Sequence, residues 1–451
     1  MSVRSWGNYP KVEHAAVVAL PWRHLGLPRT AGTMLPGGLA RSYGDSCLNE
    51  GGMLVRTTSL DRLIEFDRAK GVLACEAGIS LAQVLSIAVP AGWFLPVVPG
   101  TARVTVGGAI ANDVHGKNHH AAGSFGHHVR RFELLRSAGA RIACSPGENA
   151  GLFRATIGGL GLTGLVTWAE LQLRPIRSAS FDIETIRMEN LDHFFALSEE
   201  SGVRHDFSVT ELLREKSHLA PLSEYSVAWV DALAKGSAIG RGTFMRANHA
   251  SEGGVAAGGG PRQRMSLPFD FPASALNRHS VGLFNAMYRA RASSHWKRSR
   301  EPYGKYLFPL DAIGRWNRLY GKAGFVQHQS VVPRADAAVK VAEMLAAIAQ
   351  SGEASFLTVL KVFGDAPPAG LMSFARPGVT LALDLPMRGA ATLELLERLD
   401  AVVRDAGGAI YPAKDARMSP ATFRASFPNL REFEAHVDPA FSSSFWRRVT
   451  R

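Results

Sequence analysis

The sequence predicts an α+β fold with two lobes, and three features lead to this prediction. The chain has 451 residues, which exceeds one ordinary domain and suggests two lobes around a shared crevice. Up to about residue 177, short β-rich runs alternate with glycine-rich turns. From Phe181 onward, strands alternate with longer helices. A mixture of this kind, without regular βαβ units, is typical of α+β rather than doubly wound folds.

The first part contains five predicted strands, GGMLVRTT, GVLACEAG, RFELLRSAG, ARIACS and GLVTWAELQLRP, and two predicted helices, SLAQVLSIAVPAG and ENAGLFRATIG. The second part contains predicted strands at FDIETIRM, YSVAWVDAL, GFVQHQSVVP, SFLTVLKVFG and GVTLALDLPM, and helices at DAAVKVAEMLAAIAQSG and TLELLERLDAVVRDAGG. This pattern predicts a second lobe with a mostly antiparallel sheet. Glycine and proline at 250–272 indicate a mobile loop within it. The chain from GGAIYPAKD onward is predicted to be loop and helix, not sheet.

Composition places the chain among globular proteins. Apolar residues make up 46% and charged residues 20%, and no run of 18 apolar residues suggests a membrane span. The N-terminus lacks a readable signal peptide, so we expect a cytoplasmic protein. The three cysteines Cys47, Cys75 and Cys144 have no short pair spacing, which predicts reduced thiols and no metal site.

The net charge is +12, from 51 basic and 39 acidic residues, and it suggests an anionic partner. In residues 278–305 one acid, Glu301, accompanies seven basic residues: Arg278, Arg289, Arg291, Lys297, Arg298, Arg300 and Lys305. Phe284, Met287, Tyr288 and Trp296 stand among them. This mixture fits a peripheral membrane surface, and a solvated loop is an equal alternative. No nucleic-acid-binding signature is present, so no nucleic-acid partner is expected.

Two glycine-rich loops carry the strongest functional signal, LPGGLARSYGDS at 35–46 and PGTARVTVGGAIANDVHGKNHHAAGSFG at 99–126. A dinucleotide pyrophosphate needs backbone N–H groups directed at its oxygens, and glycine lets the main chain approach them closely. The first loop supplies Gly37, Gly38 and Gly44, and the second supplies Gly107 and Gly108. Together they predict a dinucleotide cofactor rather than two tight turns.

The stretch from Gly159 to Gly164 matches the G-x-G-x-x-G fingerprint of nicotinamide-binding domains, and Asp182 lies near the expected distance for a ribose carboxylate. That fingerprint must open a helix. Here LVTWAELQLRP follows, which alternates apolar and polar residues and predicts a strand. The sequence therefore argues against a nicotinamide site.

His115 begins a histidine-rich stretch that also contains His119, His120, His127 and His128. A metal site would need further ligands at helical or hairpin spacing, and none is present. We therefore expect no metal, and expect His115 to pack or hydrogen-bond near the cofactor ring.

Motifs along nearly the whole chain resemble the vanillyl-alcohol-oxidase-type flavoproteins, especially the branch that oxidises polyprenyl-phosphate ribose. They are ARSYGD, VPGT, TVGGAIAND, HGKNHHAAGSFG, GGLGLTG, YSVAWVDA, GFVQHQ, SFLTVLKVFG and YPAKDAR. The resemblance implies a two-lobed, FAD-linked oxidase fold. A PCMH-type FAD domain would be built from both chain ends, and an antiparallel-sheet substrate domain would be inserted between them. The expected boundaries are 1–179 for the FAD domain, 180–405 for the substrate domain and 406–451 for the returning segment.

The resemblance also implies an activity. Hydride would leave C2 of a polyprenyl-phosphate ribose for FAD, giving the 2-keto sugar. A separate NAD(P)-dependent reductase would complete epimerisation to the arabinose form used in cell-wall arabinan. The implied location is a membrane surface reached from the cytoplasm, with the periplasmic face left open.

Site residues follow from the same resemblance. The implied FAD contacts are Pro36, Gly37, Gly38, Leu39, Ala40, Arg41, Ser42, Tyr43, Gly44, Asp45, Ser46, Gly100, Thr105, Val106, Gly107, Gly108, Asn112, Asp113, Val114, His115, Val166 and Tyr411. The implied substrate contacts are Lys117, Trp229, Phe308, Gln329, Lys361, Ala382 and Lys414.

Lys414 and His115 are the expected catalytic residues. Alcohol oxidation removes a hydroxyl proton as hydride departs, so a base or a charge-stabilising cation must contact the hydroxyl. A lysine in a crevice has a lowered pKa and can accept that proton. Lys414 can equally remain charged and stabilise the developing alkoxide.

Two positions depart from family patterns. Many relatives attach flavin covalently through a histidine in the first loop, where this chain has Tyr43, so we expect non-covalent FAD. The family's inhibitor-reactive cysteine corresponds to Ala382, which predicts resistance to covalent inhibitors that capture that thiol. This difference also weakens the inference that the native substrate is the same.

Two other functions remain as alternatives. The first is an FAD-dependent oxidase of a free polyol or aldonolactone, as in other branches of this fold. The second is a basic protein that binds nucleic acid or membrane without catalysis.

Overall fold

The computed structural model describes residues 3–201, 223–255, 259–272, 275–291, 295–353 and 355–451. Its largest element is an eight-stranded sheet in which all neighbouring strands are antiparallel. In spatial order the strands are β15 (Trp296–Pro302), β11 (Ser180–Met188), β13 (Gly242–His249), β12 (Tyr225–Val230), β18 (Thr358–Phe363), β19 (Gly378–Pro386), β17 (Phe325–Val332) and β20 (Ala409–Ile410).

The other lobe contains a five-stranded antiparallel sheet and a three-stranded parallel sheet. The five-stranded sheet has the order β4 (Leu63–Asp67), β5 (Val72–Glu76), β9 (Leu165–Gln172), β7 (Val129–Leu135) and β8 (Arg141–Cys144). The three-stranded sheet has the order β1 (Ala16–Ala19), β3 (Met53–Arg56) and β2 (Met34–Gly37). Two short pairs complete the strands, β6 (Trp93–Phe94) with β10 (Arg174–Pro175), and β14 (Met265–Ser266) with β16 (Ile313–Gly314).

Helices cover the sheets and connect the strands. The helices of the described residues are α1 (Leu81–Ala88), α2 (Val106–Ala111), α3 (His119–Ala122), α4 (Ala150–Thr156), α5 (Leu191–Glu200), α6 (Arg278–Arg291), α7 (Tyr303–Leu307), α8 (Ala337–Ser351), α9 (Ala390–Asp405), α10 (Pro420–Ser426), α11 (Leu430–Glu434) and α12 (Ser444–Thr450). None of them has the length and apolar character needed to cross a membrane.

Local sequence explains the best-defined helices. Ser80 caps α1 because its hydroxyl accepts from the Gln83 N–H, while the Gln83 side chain accepts from the Ser80 N–H. Helices α8 and α9 bury apolar stripes against β17 and each other, as their periodicity predicts. The predicted α+β class with an antiparallel second sheet is therefore confirmed.

The C-terminal segment returns to the N-terminal lobe. Residues Met34 and Phe441 form a parallel bridge, and the Met34 N–H donates to the Ala440 carbonyl at 2.8 Å. Residues 409–410 were predicted to lie outside the sheet, and this is wrong, because β20 pairs with β17 at the sheet edge. Two strand residues are too few to give a periodic signal. The boundaries at 179 and 405 stay a prediction.

Two predicted loops contain regular structure. Within 250–272, β14 pairs with β16; residues 256–258 of that predicted mobile loop lie outside the described residues. Residues 278–305 were offered as a membrane surface or a solvated loop. The loop alternative is wrong, because this segment forms α6, the edge strand β15 and part of α7. Residues 292–294 and the side chains of Tyr288 and Arg291 are outside the description.

Candidate functional site

A cavity of about 1090 Å³ lies where the glycine-rich loops meet the eight-stranded sheet. The loops form one wall, and side chains from β12, β17, β18 and β19 form another. Residues between 307 and 319 contribute a third wall that is largely apolar. Side chains from distant parts of the chain therefore face one shared cavity.

Backbone hydrogen bonds join the first glycine-rich loop to the turn after β20. The Tyr43 N–H donates to the Ala413 carbonyl at 2.9 Å, and the Lys414 N–H donates to the Tyr411 carbonyl at 3.0 Å. Gly44 packs so closely that a Cβ would lie 1.7 Å from the Asp415 carbonyl oxygen. Only glycine allows this approach, which holds Tyr43 beside Lys414.

The first loop has the donors that an anionic cofactor requires. None of the five consecutive backbone N–H groups from Gly38 to Ser42 donates to an acceptor within the described chain. The Ser46 hydroxyl lines the same cavity and is buried with no hydrogen-bond partner among the described residues. Unpaired backbone N–H groups are rare and mark anion-binding concavities. These residues fit the pyrophosphate of FAD.

Lys414 is a buried lysine, and the groups around it shift its pKa in opposite directions. Its ammonium nitrogen lies 3.7 Å from the centroid of the Tyr43 ring. Burial lowers the pKa of Lys414, and the charge of Lys361 lowers it further, whereas Asp384 raises it. Lys414 is therefore far easier to deprotonate than an exposed lysine.

Asp384 is the buried carboxylate that acts on Lys414. It lies on β19 directly opposite Gln327 of β17, and the Gln327 amide nitrogen donates to Asp384 Oδ1. Burial raises the pKa of Asp384, while Gln327 and Lys414 lower it. The other carboxylate oxygen, Oδ2, has no hydrogen-bond partner within the described residues.

His115 sits at the centre of a polar group on the sheet side of the cavity. Gln329 Nε2 lies 2.9 Å from its Nε2, and Lys361 Nζ lies 3.3 Å from its Nδ1. Burial and Lys361 hold the pKa of His115 well below its usual range, so the ring is neutral. A neutral imidazole has one donor and one acceptor. If Lys361 donates to Nδ1, the Nε2–H requires the Gln329 amide to present its oxygen.

Two further lysines face the cavity. Burial, aided by Lys361, lowers the pKa of Lys117 to about 7, and burial alone lowers that of Lys361 to about 8. Lys117 donates to the Tyr306 carbonyl, and its nitrogen lies 4.2 Å from the Tyr306 ring centroid. The site therefore contains three lysines whose charge changes near neutral pH.

Most sequence-predicted residues line this cavity. Those from the FAD set are Pro36, Gly37, Gly38, Leu39, Ala40, Arg41, Ser42, Tyr43, Ser46, Gly100, Thr105, Gly107, Gly108, Asn112, Val114, His115, Val166 and Tyr411. Those from the substrate set are Lys117, Trp229, Gln329, Lys361, Ala382 and Lys414. Their roles stay predictions.

Five predicted residues lie behind the cavity wall. Phe308 is buried and its ring packs edge-on against Tyr303, while its neighbours Leu307 and Pro309 line the cavity. The remaining four are structural: Gly44 packs on the Asp415 carbonyl, Val106 is a core residue, Asp45 pairs with Arg448, and Asp113 accepts from the Gly126 N–H and the Ser373 hydroxyl.

The sequence also missed residues that line the cavity. Leu160, Gly161 and Gly164 do so, although the fingerprint they belong to is followed by β9 and not by a helix. Thr101, Arg103 and Asp311 line it as well. Thr101 and Arg103 lie within the glycine-rich loop at 99–126, and this position could have identified them as cavity residues from the sequence. Nothing in the sequence marks Asp311.

The other histidines of the stretch that begins at His115 hydrogen-bond to the backbone. His120, His127 and His128 contact the carbonyls of Ser223, Pro367 and Ala122 through their Nε2 atoms. His119 accepts from the Gly364 N–H, and burial lowers its pKa to about 3. The contacts of His119, His120 and His127 hold this stretch against the second lobe, and that of His128 is internal to it. Among the described residues no group of three acidic, histidine or cysteine side chains is arranged to hold a metal.

Four of the seven basic residues in the 278–305 segment pair with carboxylates, two of which lie on the neighbouring strand β11. Arg298 and Arg300 pair with Glu184 and Asp182 of β11, and Arg289 lies 3.5 Å from Glu189. Lys305 pairs with Glu301 at 2.7 Å. The exposed feature of the segment is apolar, since Leu283, Met287 and Trp296 are 65%, 57% and 48% exposed.

Comparison with known proteins agrees with the geometry. Residues 14–145 match the family model described as an FAD binding domain. The chain is 36% identical over 426 residues to decaprenylphosphoryl-β-D-ribose oxidase of Mycolicibacterium smegmatis, covering 91% of this chain and 88% of that protein. It is 34% identical over 393 residues to an uncharacterized protein of Streptomyces coelicolor, covering 82% of this chain and all of that protein. A Neurospora crassa protein named as a D-arabinono-1,4-lactone oxidase is 27% identical over 128 residues, which are 28% of this chain and 23% of that protein.

Proposed function

The chain belongs to the decaprenylphosphoryl-β-D-ribose oxidase family, and we propose that it oxidises the C2 hydroxyl of a polyprenyl-phosphate ribose to the 2-keto sugar. It is an FAD-dependent oxidoreductase that acts on CH–OH groups, as predicted. The observation that carries the proposal is Lys414, a buried lysine with a lowered pKa in the same cavity as the unpaired N–H groups of residues 38–42.

In this proposal Lys414 takes the proton of the sugar hydroxyl. FAD, when bound, supplies the hydride acceptor. Because burial lowers the pKa of Lys414, a neutral amine is available near neutral pH. Tyr43 and Asp384 favour the charged form and stabilise the ammonium group after the proton has moved.

We assign His115 a role in orienting the polar groups around the sugar. It is neutral, and its two ring nitrogens contact Gln329 and Lys361. The rings of Phe363 and Tyr411, 4.8 and 5.6 Å away between centroids, restrain the imidazole plane. Lys117, Gln329 and Lys361 then present donors to the sugar hydroxyls, while Trp229 forms part of the wall.

Non-covalent binding of FAD belongs to the same proposal. Tyr43 occupies the position that carries the linking histidine in other branches, and its phenol is buried, which raises its pKa well above the usual value. A neutral phenol packed against Phe325 and Lys414 is a poor nucleophile for such a bond.

A membrane surface and a separate reductase are the partners we propose. Exposed apolar side chains on α6 and β15, rather than excess charge, support peripheral contact with lipid. We propose a cytoplasmic enzyme at that surface. A reductase that uses NAD(P)H would return the keto sugar to the alcohol with inverted configuration, giving the arabinose form.

Isotopic substitution tests the position of oxidation. The enzyme is mixed anaerobically with prenyl-phosphate ribose carrying deuterium at C2 or, as the control, at C3. We expect slower flavin reduction with the C2 label alone, because only that C–H bond breaks. Equal rates for both labels, or oxidation of a free aldonolactone in preference to either, would reject the proposed substrate and favour the small-alcohol alternative.

A further inference from the structure

A second charged group lines the cavity, and the proposed lysine chemistry does not use it. It consists of Arg41, Arg103 and Asp311. The Arg41 guanidinium stacks 4.1 Å from the ring centroid of Trp6. Neither guanidinium has a carboxylate oxygen within 4.0 Å in the described part of the chain, and Arg41 Nε is buried without a hydrogen-bond partner.

Asp311 offsets only one of the two positive charges in this group. Its Oδ1 accepts from the Thr101 hydroxyl at 2.5 Å and its Oδ2 accepts from the Ala102 N–H at 2.9 Å. One carboxylate, with its oxygens already bonded, therefore faces two guanidinium groups. Burial lowers the pKa of Arg41, and the charge of Arg103 lowers it further, whereas Asp311 raises it. A partly buried excess of positive charge with unused donors favours an anionic ligand.

The neighbouring wall is apolar. Residues on either side of Asp311, Leu310 and Ile313, line the same cavity, as do Leu276, Leu319 and Phe356. They pack on a cluster that contains Trp316, whose ring lies 5.6 Å from that of Trp6. The surface therefore suits a ligand with an anionic group attached to a hydrocarbon chain.

We propose that Arg103 and the Arg41 side chain form a phosphate-binding subsite for the prenyl phosphate of the substrate, with this apolar wall contacting the first prenyl units. The inference rests on the proposed function and assigns its substrate's phosphate to named residues. Guanidinium groups suit this role because they bind phosphate oxygens through paired N–H donors.

The cofactor's pyrophosphate is the competing anion. Its donors are the backbone N–H groups from Gly38 to Ser42, whereas the Arg41 side chain stacks on Trp6 at the apolar wall. Substrate phosphate is therefore the better match for the guanidinium groups. An arginine variant that keeps FAD but binds the prenyl phosphate more weakly would show that the arginine serves the substrate and not the cofactor.

Binding to the FAD-loaded enzyme tests the subsite without turnover. Calorimetry compares farnesyl phosphate, farnesol and inorganic phosphate with the parent, Arg103→Gln, Arg103→Lys and the control Arg398→Gln. Arg398 is exposed on α9 and lies outside the cavity lining. We expect Arg103→Gln to weaken farnesyl phosphate binding about 10- to 100-fold. Arg103→Lys should retain part of the affinity, and the control should match the parent. Inorganic phosphate should bind weakly throughout, since it lacks the apolar contact.

Three results would overturn the inference: unchanged farnesyl phosphate binding in Arg103→Gln, an equal loss for farnesol, or loss of FAD from a folded Arg103→Gln enzyme. The last result would place the arginine at the cofactor instead. Failure of the proposed function is a separate outcome. If the enzyme binds farnesyl phosphate through Arg103 but does not oxidise prenyl-phosphate ribose, the phosphate subsite is supported and the proposed reaction is rejected.

Discussion

The ammonium nitrogen of Lys414 lies 3.7 Å from the centroid of the Tyr43 ring, so the proposed base contacts the residue that stands in the flavin-linking position of related branches. The backbone hydrogen bond from the Tyr43 N–H to the Ala413 carbonyl, 2.9 Å long, holds the two residues together. The ring favours the charged amine, whereas burial disfavours it. The balance leaves Lys414 able to exchange a proton near neutral pH.

Replacing Asp384 with asparagine tests this balance. Asp384 raises the pKa of Lys414, so its removal lowers that pKa further. If Lys414 is the base, the rate of flavin reduction at saturating substrate rises with pH as the amine deprotonates. We expect this rising limb to move to lower pH in Asp384→Asn.

The direction of the limb also distinguishes the two possible roles of Lys414. A lysine that must stay charged would give a rate that falls as pH rises. The matched control is Asp405→Asn, whose carboxylate is 76% exposed at the end of α9. A profile that is unmoved in Asp384→Asn would show that Asp384 does not set the charge of Lys414.

We predict that FAD dissociates when the protein unfolds. Tyr43 is buried against Phe325 and offers no nucleophile for a covalent link. After acid denaturation and centrifugation, the yellow colour should be in the supernatant. Colour that stays with the pellet would contradict the prediction.

Ala382 predicts resistance to covalent inhibitors that capture a pocket thiol. It lies on β19 opposite Gln329 and lines the cavity. Burial raises the pKa of Cys47, Cys75 and Cys144 to about 12 each, which leaves little thiolate to react. Intact mass should show no adduct on the parent and a single adduct on Ala382→Cys. An adduct on the parent within the cavity would refute this.

Arg448 links the first loop to the turn that carries Lys414. It pairs with Asp45 at 2.7 Å and Asp415 at 2.9 Å, and both carboxylates are buried. Removing one partner of a buried ion pair costs about 3–5 kcal/mol. We expect Arg448→Gln to lower the thermal midpoint and to release FAD faster, while Arg398→Gln changes neither. A midpoint equal to that of the parent would contradict the link.

The helices and strands could largely be predicted from the sequence, whereas the ion pairs between residues distant in sequence could not. Strands such as Phe325–Val332 and helices such as Ala337–Ser351 begin and end within a few residues of the predicted segments. The 278–305 segment looked strongly basic because its acidic partners, Asp182 and Glu184, lie on β11, which is distant in sequence. Local composition cannot reveal neighbours that a sheet register brings together.

For the site as well, some residues could be predicted from the sequence and others could not. Glycine spacing and motif resemblance led to Tyr43, His115 and Lys414, all of which line the cavity. Phe308 does not line the cavity, whereas its neighbours Leu307 and Pro309 do. Asp384 lies two residues after Ala382 on β19. It raises the pKa of Lys414 only because the fold brings β19 close to the turn after β20.

Anaerobic mixing with prenyl-phosphate ribose tests the central claim most directly. The account predicts that the oxidised flavin absorbance bleaches in the parent enzyme, and that Lys414→Met retains FAD but bleaches about 10²- to 10⁴-fold more slowly. Flavin that stays oxidised in the parent, or a Lys414→Met variant that bleaches at the parental rate, would contradict it.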